Sequence, residues 1–205
     1  MDADRGKALD AVHVEVRACE RCPLHVGRTR AVPGDGPVDA LIMFIGEAPG
    51  FHEDQQGLPF VGAAGRLLNE LLEKAGIDRN RVFITNVIKC RPPGNRDPQV
   101  DEVEACKPYL DRQIELINPQ VIVTLGRHSM ARAFPEEKIS IVHGQARKVN
   151  GRVYFPMYHP AAALHQPSLR GVVEADFDRL RDLLDGKVRP EEFTPPPEVE
   201  QLSLF

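Results

Sequence analysis

The sequence predicts a three-layer αβα fold built around a central, mostly parallel sheet. Short apolar runs at 40–45, 81–90 and 119–126 have the composition of buried strands. The first two lead through Gly/Pro-rich loops into helical patterns and the third into a short one, and this strand–helix alternation is what produces a parallel sheet covered on both faces. A length of 205 residues, 42% hydrophobic and 27% charged, suits one domain with its own core.

An amphipathic stretch from Lys7 to Ala18 is expected as a helix leading into Cys19 and Cys22. "ALIMFIGEAPG" reads as a strand over 40–45 and the loop at its carboxyl end. "AAGRLLNELLEKAG" places leucines at 67, 68, 71 and 72 on one helical face, with Gly76 as the stop. "RVFITNVIKC" is the second strand. Asp97 as N-cap and Pro98 as first helical residue then open a helix through "QVDEVEACKPYLDRQIELI". "PQVIVTLG" is the third strand, and a short helix is expected from Arg127. In "QARKVNGRVYFPMYHP", Asn150 and Gly151 fit a tight hairpin turn whose second arm ends at His159. A last helix covers Val172 to Leu184. From Val188 the chain reads "VRPEEFTPPPEVEQLSLF", without helical or strand period. The expected division is a folded domain over 1–187 and a mobile Pro/Glu tail over 188–205.

The formal net charge of −4 offers no basic surplus of the kind nucleic-acid binders often carry. Much of it belongs to the last 17 residues, where Glu191, Glu192, Glu198 and Glu200 oppose only Arg189. The opening "MDADRGKALDAVHVEV" has no apolar leader core, and no window approaches the roughly 20 apolar residues of a membrane span. A cytoplasmic protein is expected. In that reducing setting Cys19, Cys22, Cys90 and Cys106 read better as metal ligands than as disulfides, with zinc and an iron–sulfur cluster both open.

Ligands of open parallel sheets bind at the carboxyl ends of the strands. That rule selects "GEAPGFHEDQQGLPFVG", "TNVIKCRPPGNR" and "HPAAALHQPSLR". Together with cysteines at 19, 22, 90 and 106, these loops resemble the family 4 uracil-DNA glycosylases, the iron–sulfur branch of that superfamily. The resemblance covers roughly residues 15–180.

The resemblance implies hydrolysis of the N-glycosidic bond between uracil and deoxyribose after the base has left the stack, leaving an abasic site. Uracil presents O2, an N3 proton and O4. A carboxamide matches the last two, its oxygen accepting from N3–H and its NH₂ donating to O4, and Asn86 is placed for this. Phe60 would give the base an apolar face to stack on. His159 resembles the donor that stabilises charge developing on O2 as the bond breaks. Backbone amides from Gly46 through Ala48 to Gly50 would also face the base. The best-known enzymes of the superfamily carry an aspartate for the attacking water and a tyrosine against thymine where this chain has Ala48 and Gly50. Glu47 is therefore assigned to water positioning, oxocarbenium stabilisation and crowding of the C5 side of the base, with Glu53 and Asp54 expected to hold the loop. Leu164 is the candidate wedge for the gap in the duplex, and Arg170 the candidate phosphate contact.

The resemblance further implies one [4Fe-4S] cluster on Cys19, Cys22, Cys90 and Cys106, with tetrahedral zinc as the alternative. The expected substrate is uracil-containing DNA, single- or double-stranded, acted on by a monomer. The terminal "QLSLF" resembles the short peptide with which bacterial repair proteins bind the sliding clamp, using Gln201, Leu202, Leu204 and Phe205. Two rival readings are a metal-stabilised DNA-binding module without catalysis and a glycosylase for another deaminated base such as hypoxanthine.

Overall fold

The computed structural model describes residues 2–194. In chain order the elements are α1 (Asp2–Arg17), α2 (Leu24–Gly27), β1 (Ile42–Gly46), α3 (Phe51–Gln56), α4 (Ala63–Lys74), β2 (Val82–Asn86), α5 (Val100–Ile117) and β3 (Val121–Leu125). They continue as α6 (Arg127–Met130), α7 (Ile139–Val142), β4 (Arg147–Val149), β5 (Arg152–Met157), α8 (Pro160–His165), α9 (Arg170–Leu184) and β6 (Glu191–Glu192). The sheet runs β2-β1-β3-β5-β4-β6. β2, β1, β3 and β5 are parallel, β4 is antiparallel to β5, and β6 is parallel to β4. This is the expected three-layer α/β architecture.

Strand alternation sends successive side chains to opposite faces. On one face Ile42 and Phe44 of β1, Val82 and Ile84 of β2, and Val121 and Val123 of β3 join Leu67, Leu68 and Leu71 of α4 and Phe177 of α9. On the other, Met43, Ile45, Phe83 and Ile122 pack against Val12 and Val16 of α1 and Tyr109 and Leu110 of α5. By the same period Asn86 shares the α4 face and Thr85 the α5 face. β2 is thus a wall with a polar residue directed into each layer. Among the described residues no helix is long and apolar enough to cross a membrane.

The structure departs from expectation at four places. β2 stops at Asn86, because "VIKC" leaves the ladder; Val87 N–H still donates to Gly46 O at 3.0 Å and Ile88 N–H to Glu47 O at 3.2 Å. α5 is capped by Gln99, not Asp97: the Gln99 N–H donates to Glu102 Oε2 at 2.8 Å, the backward half of a capping box, while Asp97 turns to Arg127. α3 lies inside a stretch expected to be loop. Glu191 and Glu192 form β6 on the sheet edge, with Lys148 Nζ 2.9 Å from Glu192 and Phe193 5.0 Å from the Phe134 ring. The folded domain therefore reaches past the expected boundary at 187. Gln201, Leu202, Leu204 and Phe205 lie outside the described residues.

Candidate active site and cysteine cage

At the carboxyl ends of β1, β2 and β5 a cavity of about 420 Å³ opens between the three predicted loops. Its walls include Glu47, Ala48, Phe60, Asn86 and His159. β1 delivers Gly46 beside Asn86 in register across the parallel pair. A Cβ on Gly46 would lie 2.4 Å from Asn86 Oδ1 and 2.8 Å from Phe60 Cζ, so only glycine lets the amide and the ring approach this closely.

Asn86 is 1% exposed, and its Oδ1 is buried with no hydrogen-bond partner among the described residues. A buried acceptor left unpaired costs on the order of 1–3 kcal/mol, an expense that a ligand donor would recover. Phe60 sits at φ 54 and is 8% exposed, with its ring stacked on His159 at a centroid distance of 5.5 Å. Its backbone is held from below: Glu53 Oε1 accepts from Val61 N–H at 2.9 Å and Gly62 N–H at 2.8 Å. Asp54, 2% exposed, accepts from Thr29 N–H at 2.9 Å. Both acids hold the loop, as expected of them.

His159 is the N-cap of α8, and its Nδ1 accepts from Ala161 N–H at 3.1 Å. That bond places the ring proton of the neutral imidazole on Nε2. Burial draws the pKa of His159 down from 6.5 to about 4, so the ring is neutral at ordinary pH and still a donor.

Glu47 is half-buried at the cavity edge, its Oε2 3.7 Å from His128 Nε2, which lies 3.6 Å from Asp97 Oδ2. Burial raises the Glu47 carboxyl above its ordinary value, opposed by His128 and reinforced by Asp97. Ligand atoms of Glu47, Asp97 and His128 converge within 4.8 Å of one another, as they would around a cation. The Arg127 guanidinium, however, bonds Asp97 and donates to His128 Nε2 at 3.2 Å, and so supplies the positive charge there itself. Sequence reasoning takes His128 as no more than a strand-end cap and Asp97 as a helix cap; a histidine three residues past a strand end, in "LGRH", was the available signal.

Two further predictions fall beside the cavity. Leu164 is 44% exposed on α8 and does not line it. Arg170, the candidate phosphate contact, is ion-paired at the surface with Glu70 at 3.0 Å and Glu174 at 3.3 Å.

On the opposite face of β2, Cys19, Cys22, Cys90 and Cys106 surround one concavity, and all four are free thiols. Cys19 and Cys22 come from the connection between α1 and α2, Cys90 from the loop after β2 and Cys106 from the second turn of α5. Backbone and side-chain donors converge on the sulfurs: Arg28 Nη1 on Cys90 at 3.2 Å, Lys89 N on Cys106 at 3.3 Å and Arg21 N on Cys19 at 3.5 Å. N–H groups aimed at sulfur suit thiolates bound to a metal. Between cage and cavity lies Lys89, 1% exposed, whose pKa is drawn down by burial and supported by Cys106.

Comparison with known proteins agrees with this geometry. A family model of the uracil DNA glycosylase superfamily matches residues 33–182. A type-4 uracil-DNA glycosylase of Sulfurisphaera tokodaii is 49% identical over 199 residues, covering 91% of this chain and 88% of the relative. The type-4 enzyme of Archaeoglobus fulgidus is 46% identical over 195 residues (90% and 96%) and that of Thermotoga maritima 42% over 185 residues (88% and 96%). With a matching family model and relatives of this similarity along nearly their whole length, the chain belongs to the uracil-DNA glycosylase superfamily and groups within it with the type-4 enzymes.

Proposed function

We propose that the chain, a uracil-DNA glycosylase by family, excises uracil from DNA as a monofunctional hydrolase through the cavity at the ends of β1, β2 and β5. The Oδ1 of Asn86, without a partner among the described residues, carries this reading. It accepts from uracil N3–H while the amide NH₂ donates to O4; cytosine reverses both groups and would leave buried polar atoms unpaired. The base stacks on Phe60, whose ring centroid lies 5.5 Å from that of His159. The Nε2–H of His159 is directed to O2, where negative charge grows as the glycosidic bond breaks; a donor that strengthens only then lowers the barrier, typically by about 2.7–4 kcal/mol. Amides near Gly46 and Ala48 flank the base. Glu47 orients the attacking water and faces the positive charge developing on the sugar. Leu164 and Arg170 are assigned to the DNA around the flipped nucleotide, Arg170 after exchange of a carboxylate for a phosphate.

The donor-lined cage fits a thiolate-bound metal centre, and Cys19, Cys22, Cys90 and Cys106 would hold one [4Fe-4S] cluster whose role is to crosslink α1, α5 and the loop after β2. Residues 201–205 are assigned to a sliding clamp on their sequence alone, as a Gln anchor with Leu202, Leu204 and Phe205 for an apolar groove.

The test is incubation with labelled oligonucleotides carrying one uracil, thymine, hypoxanthine or no lesion, followed by alkali. Free uracil and alkali-dependent cleavage of the uracil strand alone are expected. Nicking without alkali, or cleavage confined to hypoxanthine, would overturn the reading.

A further inference from the structure

Lys89 belongs to none of the roles above, yet its side chain ends on the residue proposed to read the base. Its Nζ lies 2.6 Å from Thr85 Oγ1, 2.7 Å from Gln113 Oε1 and 2.8 Å from the backbone oxygen of Asn86. Two of these oxygens can only accept. Thr85 donates its hydroxyl to Pro33 O at 2.8 Å and therefore also accepts from the lysine. Three acceptors around one nitrogen are the complement of an ammonium, which has three N–H groups and no lone pair. Gln113 Nε2 donates to the same Pro33 carbonyl at 2.7 Å, which fixes the orientation of that amide and closes the network.

The other end of the residue faces the cage. The Lys89 N–H donates to Cys106 Sγ at 3.3 Å, and the next residue is Cys90. No carboxylate of a described residue is ion-paired with Lys89. Four thiolates around either an iron–sulfur cluster or zinc make a net negative centre, so the compensating charge for the ammonium would lie on the cage side.

We propose that Lys89 is a positioning residue for base recognition: its ammonium fixes the Asn86 peptide, and with it the carboxamide in the cavity, to the wall of the cysteine cage. The inference rests on the reading of Asn86 as the uracil-reading group. Without the lysine nitrogen, the Asn86 carbonyl and Gln113 Oε1 lose their donor in a site closed to water, and the peptide is free to tilt. Loss of an outer partner that orients a functional group typically costs about 10- to 100-fold in activity.

The experiment uses the full chain with its metal. Lys89→Met keeps the length of the side chain and removes the donors; Thr85→Val keeps shape and removes one acceptor. Four readouts are taken for each: metal and sulfide content, affinity for abasic duplex, single-turnover excision of uracil, and inhibition by free uracil. Lys89→Met should retain its metal and bind abasic DNA within about twofold of the parent, while excision falls about 10- to 100-fold. Inhibition by free uracil should weaken by about tenfold, the scale of one hydrogen bond. Thr85→Val should move excision and uracil inhibition in the same direction by less, and provides the answer if Lys89→Met does not fold. Unchanged excision and uracil inhibition in the folded variants would overturn the proposal. So would losses that track metal content alone, which would make Lys89 only a support of the cage. An unsubstituted chain that releases no uracil would instead refute the reading of the pocket.

Discussion

The two sides of β2 handle polar groups in opposite ways. In the cavity, Asn86 Oδ1 is buried without a partner among the described residues, and His159 commits Nδ1 to its own helix, which leaves Nε2 as the ring donor. In the cage layer, Lys89 gives all three of its side-chain N–H groups to protein oxygens, and the sulfurs of Cys19, Cys90 and Cys106 receive N–H donors. One side leaves a buried acceptor open to a ligand; the other pairs its polar groups within the protein. The first arrangement costs stability and the second supplies it, which is how a preformed site can be maintained within a marginally stable fold.

That contrast breaks most sharply at His159. Replacement by Ala should lower single-turnover excision by about 10²–10³-fold, the usual effect of removing one charge-stabilising donor. Its melting temperature should stay close to that of the parent, apart from the loss of an N-cap worth about 1 kcal/mol. Excision within a few-fold of normal would remove His159 from the chemistry. The converse comes from Cys106→Ser, which should release the metal and lower the melting temperature by about 10 °C, followed by calorimetry. If the melting temperature held while excision vanished, the cage would belong to the reaction and not to the framework.

The smallest effect concerns acid. His159 on the cavity side and His13 in the α1 layer are both drawn from 6.5 to about 4, each chiefly by burial. The unfolded chain therefore binds more protons than the folded one between those values, so stability is full above about 6.5 and falls as pH drops toward 4. A loss on the order of 1 kcal/mol per histidine is expected by about pH 5, measured by denaturant titration. Because His159 stays neutral until the pH approaches its lowered value of about 4, excision should show no dependence on an ionisation of that ring near pH 6.5. A rate that rose as the ring protonated would mean an imidazolium, not an imidazole, is the donor.

Much of the cavity was legible because its residues lie in short loops at strand ends, where sequence order and spatial order coincide. Gly46, Glu47, Phe60 and His159 each stand within or beside a Gly/Pro-marked turn, and Asn86 closes a strand. Lys89, Gln113 and His128 were not legible, since each acquires its role from contacts with segments distant in the chain, as in the Gln113 bond to Pro33. A lysine is far more often exposed than buried, and nothing in "VIKC" distinguishes the exception. Asp97 misled for a local reason: Asp-Pro is a good helix opening, but the Glu102 carboxylate favoured Gln99 two residues later, and Arg127 drew Asp97 away. The two-residue β6 is too short to carry a period, and its hold on the domain comes from Lys148 and from Phe193 on Phe134.

The stretch from Asn86 to Cys90 also acts as a spacer gauge. One end is set by the register of β2 on β1 and the other by the position of Cys106 on α5. Between them Val87 and Ile88 are buried at 1% and 0%, so no slack can be taken up by a bulge into solvent. A single inserted or deleted residue here should therefore be far less tolerated than substitutions along the same five positions. The tolerance of the site is set by a length, and a library that varies this segment in number as well as identity would measure it.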